Sequence, residues 1–181
     1  MSRAARFSGG FTLIELLVVL VIIGIILSFA TLTVDGGGLD RKAEEESRRL
    51  MALIRLLRQE GIVKNQQLAI QLFPDGYRFL RLAGGQWQPI EDDEIFRPRK
   101  LPPELRFDLD EMETTRLGEE DEEESVVLFF LSSGESTPFE LHIEGVDGKT
   151  DYILIGDALG EMDSRNSKDK DFAEWLAESG R

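Results

Sequence analysis

The sequence predicts an α+β protein: a long N-terminal hydrophobic helix packed on a β-rich C-terminal domain of two sheets. Three observations carry this. Residues 11–33 form one apolar run, FTLIELLVVLVIIGIILSFATLT, in which Glu15 is the only charge. Residues 40–65 then place Ala43, Leu50, Leu53, Ile54 and Leu57 at helical spacing, with charges on the other face. From Gln67 onward the apolar period falls to two, and clusters of Gly, Pro, Asp and Ser separate the apolar runs.

Composition bounds the rest. The chain has 181 residues, 41% of them hydrophobic and 31% charged, enough for one globular core of ordinary size beside the apolar run. Thirty-five acidic residues against 21 basic ones give a formal charge of -14, which disfavours nucleic acid as a partner because phosphate contacts need a basic face. There is no cysteine, so disulfides, thiolate zinc sites and a cysteine nucleophile are excluded together. That absence leaves the compartment open.

Residues 1–10, MSRAARFSGG, carry Arg3 and Arg6 and no acid. Residues 11–34 follow as a membrane-spanning helix: 23 apolar-run residues at 1.5 Å rise make about 35 Å, against about 30 Å of bilayer hydrocarbon. By the positive-inside rule the N-terminus stays in the cytoplasm and the acidic bulk is exported. Residues 35–66 continue as a second helix. Its start is blurred by Gly36-Gly37-Gly38, poor helix formers that read as a flexible stretch. Helical character resumes at Asp40, a plausible N-cap, and stops near Gly61 or Asn65. Its charged face, with Glu44, Glu45, Glu46, Arg48, Arg49, Arg55 and Arg58, reads as plain solvation.

Residues 67–181 make the β-rich domain. QLAIQLF and YRFLRLA flank Pro74-Asp75-Gly76 and predict a hairpin; QWQPI, ELRFDL, VVLFFL, PFELHIE and TDYILIG add further strands, about seven in all. Two packed sheets or one curved sheet satisfy this count. Asp108 to Glu124 holds ten acids and one base, Arg116, and reads as an exposed loop. Ser164 to Lys170 reads as a polar linker before a short C-terminal helix, DFAEWLAES.

The stretch Gly10 to Leu27, GFTLIELLVVLVIIGIIL, resembles the class III signal of type IV pilins and type II secretion pseudopilins. The resemblance implies that a prepilin peptidase cuts after Gly10 on the cytoplasmic side and methylates the new amine of Phe11. Glu15 falls on the family's glutamate, four residues after Phe11. Physical chemistry agrees with these residue types. Glycine at the cut lets extended backbone enter a peptidase cleft, and a carboxylate inside an apolar span is costly enough to point to function. Glu15 can meet the cationic Phe11 amine of a neighbouring subunit; at an effective dielectric near 20, charges 4 Å apart attract by about 4 kcal/mol. It can also simply reach the cytoplasmic interface.

Further along, AEEESRRLMALIRLLRQEGIVKNQQLAIQLFPDGYRFL, GQWQPI and VVLFFLSSGESTPFELHI resemble H-type minor pseudopilins of type II secretion systems, which implies a pilin-like fold. The family implies a structural subunit at or near the tip of a periplasmic pseudopilus. Its partners are other minor and major pseudopilins, the prepilin peptidase, the inner-membrane assembly platform, the membrane itself and secreted exoproteins. A minor pilin of a type IV pilus is the alternative within the same class. A different class, a soluble periplasmic binding protein or enzyme with an ordinary signal cut after Ser28-Phe29-Ala30, leaves Glu15 and the Gly-Gly-Phe junction unexplained.

Nothing in the remaining residues asks for an enzyme or a cofactor. The one histidine, His142, lies in an apolar-alternating strand and reads as structural; there is no phosphate loop and no visible Ser-His-Asp arrangement. The acidic stretch lacks the spacing of a calcium loop. Trp87 and Trp175 read as packing residues.

Overall fold

The computed structural model describes residues 13–32, 37–110, 112 and 125–179. The Gly10–Phe11 junction and most of the acidic stretch 108–124 lie outside the described residues. The chain divides into two compact units, Met1–Gly38 and Leu39–Arg181. The first contains helix α1, Leu13–Leu32.

Helix α2 runs Gly37–Lys64. It begins three residues before the Asp40 that the sequence nominates as its cap, so Gly37 and Gly38 are helical despite a cost of about 1 kcal/mol each against alanine. Asp40 lies in the first turn, where the helix N-terminus favours an anion. It also binds Lys168 at 3.1 Å. The helix stops where Asn65 turns into the left-handed region, φ 49°. The Gln66 N–H donates to the Gly61 carbonyl at 2.9 Å and the Asn65 N–H to the Ile62 carbonyl at 3.3 Å, the paired bonds of a Schellman stop.

The rest of the second unit is two antiparallel sheets. Sheet A contains β1 (Leu68–Phe73), β2 (Gly76–Ala83), β3 (Gln86–Pro89), β4 (Arg99–Lys100) and β6 (Val126–Phe130), in the order β3-β2-β1-β6, with β4 on the same edge of β2 as β3. Sheet B contains β5 (Leu105–Asp108), β7 (Phe139–Gly145), β8 (Asp151–Gly156) and β9 (Met162–Asn166), in the order β5-β7-β8-β9. The expected Pro74-Asp75 hairpin is present, with Phe73 opposite Gly76 and Ile70 opposite Phe79. Gly76 is required there: a Cβ would fall 2.3 Å from the Arg99 carbonyl oxygen of β4.

Core packing follows the two periods. The α2 stripe of Ala43, Leu50, Leu53, Ile54 and Leu57 meets Leu68, Ile70, Leu72, Tyr77, Phe79, Leu128 and Phe130 of sheet A and Phe107, Leu141, Ile143 and Leu154 of sheet B in one buried cluster. Tyr77 and Phe107, one from each sheet, stand 6.2 Å apart between ring centroids. The packing expected of the apolar N-terminal helix is thus carried, within this unit, by the amphipathic α2. On the other face of sheet A, Ala69, Leu80 and Val127 form a smaller cluster with Trp87 and Phe129.

Among the described residues nine strands are present where the sequence suggests about seven. The additions are β4, two residues long, and β9, Met-Asp-Ser-Arg-Asn, which occupies part of the supposed polar linker. Strand β9 has no apolar alternation; its pairing with β8 from Tyr152↔Asn166 to Gly156↔Met162 makes it a strand. The C-terminal helix α3, Phe172–Ser179, forms as expected. It buries Trp175, whose Nε1–H donates to Asp163 Oδ2 at 2.7 Å.

The stripe of α2 also contains two polar residues the sequence does not place there. Ser47 is fully buried and Glu46 is only 6% exposed, not on the solvated face. Burial raises the Glu46 carboxyl above its usual value, with Arg49 at 2.6 Å opposing the shift. Burial, with Glu46 adding to it, pushes the Tyr77 hydroxyl up to about 12. An acid whose pKa is higher folded than unfolded costs no stability below its unfolded value of about 4.5 and lowers stability as pH rises through the folded value. Glu46→Gln should therefore raise stability at pH 7 by on the order of 1 kcal/mol. That gain should shrink toward pH 4, as read by chemical denaturation at both pH values.

Candidate assembly site

Helix α1 is apolar all round. Every described large apolar side chain from Leu13 to Ile23 is exposed, between 43% for Val19 and 83% for Leu13. Among the described side chains of α1 no face is set aside for a core, which distinguishes it from α2. Ten such side chains, at about 1.5–3 kcal/mol each for full burial, leave about 15–30 kcal/mol to be gained by covering them with lipid or with other helices. Among the described residues no helix is long and apolar enough to cross a membrane. The described side chains of α1 end at Gly24, while its helical backbone continues to Leu32, 20 residues or about 30 Å.

Glu15 lies in the first turn of α1. A carboxylate there is favoured by the partial positive charge of the helix N-terminus, which reduces the cost of an anion among apolar neighbours. Gly10 and Phe11, the other two residues singled out by the sequence, lie outside the described residues, so the structure does not bring the three together.

In the second unit His142 is a strand residue on the outer face of sheet B. Its Nδ1 lies 3.0 Å from Asp151 Oδ1 and its Nε2 lies 3.3 Å from Glu140 Oε1. Its cross-strand partner on β5 is Asp108. Among the described residues no group of three or more His, Asp or Glu side chains is disposed to hold a metal ion. Trp87 packs half-buried against Phe129, ring centroids 5.2 Å apart.

Sequence reasoning missed Arg58, which it assigned to the solvated face of α2. Its Nη1–H donates to the Gly160 carbonyl at 2.9 Å; its Nη2–H groups donate to the Gly134 carbonyl at 2.9 Å and the Leu159 carbonyl at 2.5 Å. One guanidinium therefore ties α2 to the turn after β6 and to the turn after β8. Gly160, at φ +76°, leaves room for it: a Cβ there would fall 1.8 Å from Arg58 Cζ. No local pattern signals this role, because all three acceptors are backbone carbonyls distant in sequence. Arg58→Met keeps the aliphatic stem and removes the donors. It should cost about 2 kcal/mol, with amide-exchange protection lost first at residues 131–136 and 157–161, as resolved by hydrogen–deuterium exchange.

Comparison with known proteins covers both units. Residues 6–31 match the prokaryotic N-terminal methylation motif, and residues 46–160 match the type II transport protein GspH family. A Pseudomonas aeruginosa protein named type II secretion system protein H is 35% identical over 156 residues, covering 80% of this chain and 88% of the relative. The solved structure of the minor pseudopilin EpsH from the type 2 secretion system of Vibrio cholerae superposes with a TM-score of 0.55 at 23% identity, covering 71% of this chain and 99% of that one. The solution structure of Escherichia coli GspH gives a TM-score of 0.58 at 16% identity, covering 76% and 96%. These two likenesses are likenesses of fold.

Proposed function

The chain belongs to the GspH family of type II transport proteins, and from that premise we propose that it is a minor pseudopilin, a structural subunit at or near the tip of a periplasmic pseudopilus in a type II secretion system. The observation that carries this reading is the joining, in one chain, of a methylation motif over residues 6–31 to a GspH domain over residues 46–160, with a helix in the first whose apolar surface has no partner face of its own. In this reading α1 first anchors the subunit in the inner membrane, N-terminus cytoplasmic and Leu39–Arg181 periplasmic. It later becomes part of a helical filament core. The subunit works by assembly, without catalysis of its own.

Gly10 is the residue before the cut and Phe11 the N-methylated new terminus. Glu15 receives the Phe11 ammonium of a neighbouring subunit, an attraction of about 4 kcal/mol at 4 Å and an effective dielectric near 20. That energy acts only when the register between helices is right. Its partners are the other pseudopilins, the prepilin peptidase and the assembly platform of the inner membrane.

Mass spectrometry of the protein recovered from membranes should find a chain that begins at Phe11 with a methylated amine. A mature chain beginning at Thr31 would refute the assembly reading outright. Gly10→Val should leave the uncut precursor in the membrane. Glu15→Val should be cut and methylated as before yet be lost from sheared filaments; normal incorporation of that variant would remove the charge pair from the account.

A further inference from the structure

The end of the second unit farthest along α2 from Asp40 presents an apolar platform. Ile62 in the last turn of α2 is 49% exposed, Leu131 after β6 is 37% exposed, and Leu159 between β8 and β9 is 74% exposed. These three come from distant parts of the sequence and are held together. The Ile62 Cδ1 lies 3.6 Å from where a Cβ on Gly134 would stand. Gly134 closes its turn by donating its N–H to the Leu131 carbonyl at 3.0 Å. The same Arg58 Nη2 binds the carbonyls of Gly134 and Leu159. The two turns also bond directly, Ser136 N–H to the Ala158 carbonyl at 3.0 Å and Ser136 Oγ–H to the Asp157 carbonyl at 2.9 Å. The platform is therefore fixed by hydrogen bonds before anything lands on it, which lowers the ordering cost of binding.

Its surroundings are acidic. Leu159 stands in a turn between Asp157 and Glu161, and these two line a cleft of about 450 Å³ with Asp163 and Glu178. Glu135 adds a further exposed carboxylate on the turn after β6. Of the cations nearby, Arg58 is taken up by the three carbonyls, Lys64 pairs with Glu60 at 2.7 Å, and Arg55 reaches the Met162 carbonyl at 3.4 Å. The balance around the apolar centre is negative, so two copies of this face repel one another.

We propose that this platform docks a different protein chain, one that presents apolar side chains flanked by lysine or arginine. The apolar centre supplies affinity and the acidic flank selects the partner and its orientation. The inference uses only the surface of the second unit and goes beyond the role of α1. Its failure leaves processing at Gly10 untouched, and failure of processing leaves this surface intact.

The test uses the full chain in the membranes of cells that produce it. A photo-crosslinking amino acid replaces Leu159, and in a parallel strain it replaces the exposed Gln86 on β3. The expected result is one dominant protein adduct at 159, absent at 86, whose crosslinked peptide carries lysine or arginine beside apolar residues. Its yield should fall about two- to fivefold in Glu161→Lys and fall likewise at ~1 M NaCl, where the Debye length is ~3 Å. Unchanged melting of Glu161→Lys shows that the loss belongs to the surface. An adduct with a second copy of this chain, an adduct with lipid, equal adducts at 86 and 159, or a yield indifferent to charge and salt would each overturn the proposal.

Discussion

Burial of one helical stripe underlies the second unit. Neither sheet has a lid of its own: sheet A offers Leu68, Ile70, Leu72, Tyr77, Phe79 and Leu128 on one face, sheet B offers Phe107, Leu141, Ile143 and Leu154, and both rows end up in the cluster built on α2. The helix can serve both because its buried positions Ala43, Glu46, Ser47, Leu50, Leu53, Ile54 and Leu57 keep helical spacing along one stripe, while Arg41, Glu45, Arg48 and Arg55 keep the opposite side wet. The remaining contacts are local trimmings on that arrangement. Lys42 with Glu104 at 2.7 Å and Lys168 with Asp40 at 3.1 Å fasten its beginning, and Arg58 fastens its end.

The two helices divide the physical labour by composition. Alpha helix α2 is amphipathic and finds its partner within the chain. The described side chains of helix α1 show no polar face and are exposed from Leu13 to Ile23, so their stability is a matter of what surrounds them. That contrast follows from Leu, Ile and Val at nearly every position of 13–23. Glu15 is the only charge in the run.

Much of this was legible in the residues. The apolar run, the α2 stripe, the Pro74-Asp75 hairpin and the alternation of Phe139, Leu141 and Ile143 follow from periodicity alone, and α3 from its Phe172, Ala173 and Leu176 spacing. Gly10, Phe11 and Glu15 are singled out by motif, since they have meaning only in their order, and Gly10 and Phe11 lie outside the described residues. What the sequence hid depends on partners far along the chain. Strand β9 is polar because its neighbour supplies the hydrogen bonds and α3 supplies the cover. Glu46 resembles the exposed Glu45 beside it, yet one step around the helix puts it against the core. Arg58 resembles Arg55, and only the positions of Gly134 and Gly160 make the difference.

Strand β1 lies between β2, its neighbour in sequence, and β6, with Leu68 opposite Phe130. For a chain that emerges amino end first, the hairpin of β1 and β2 can close early, but the sheet it belongs to stays open on one side until the residues through Phe130 have followed. Sheet B closes later still, since β7, β8 and β9 come after. The order of synthesis therefore leaves the greasiest strand edge waiting longest, and the highly charged stretch just ahead of β6 leaves the ribosome or channel immediately before the strand that completes it. A like-charged segment at that point keeps half-finished molecules apart during the interval when they are most apt to stick.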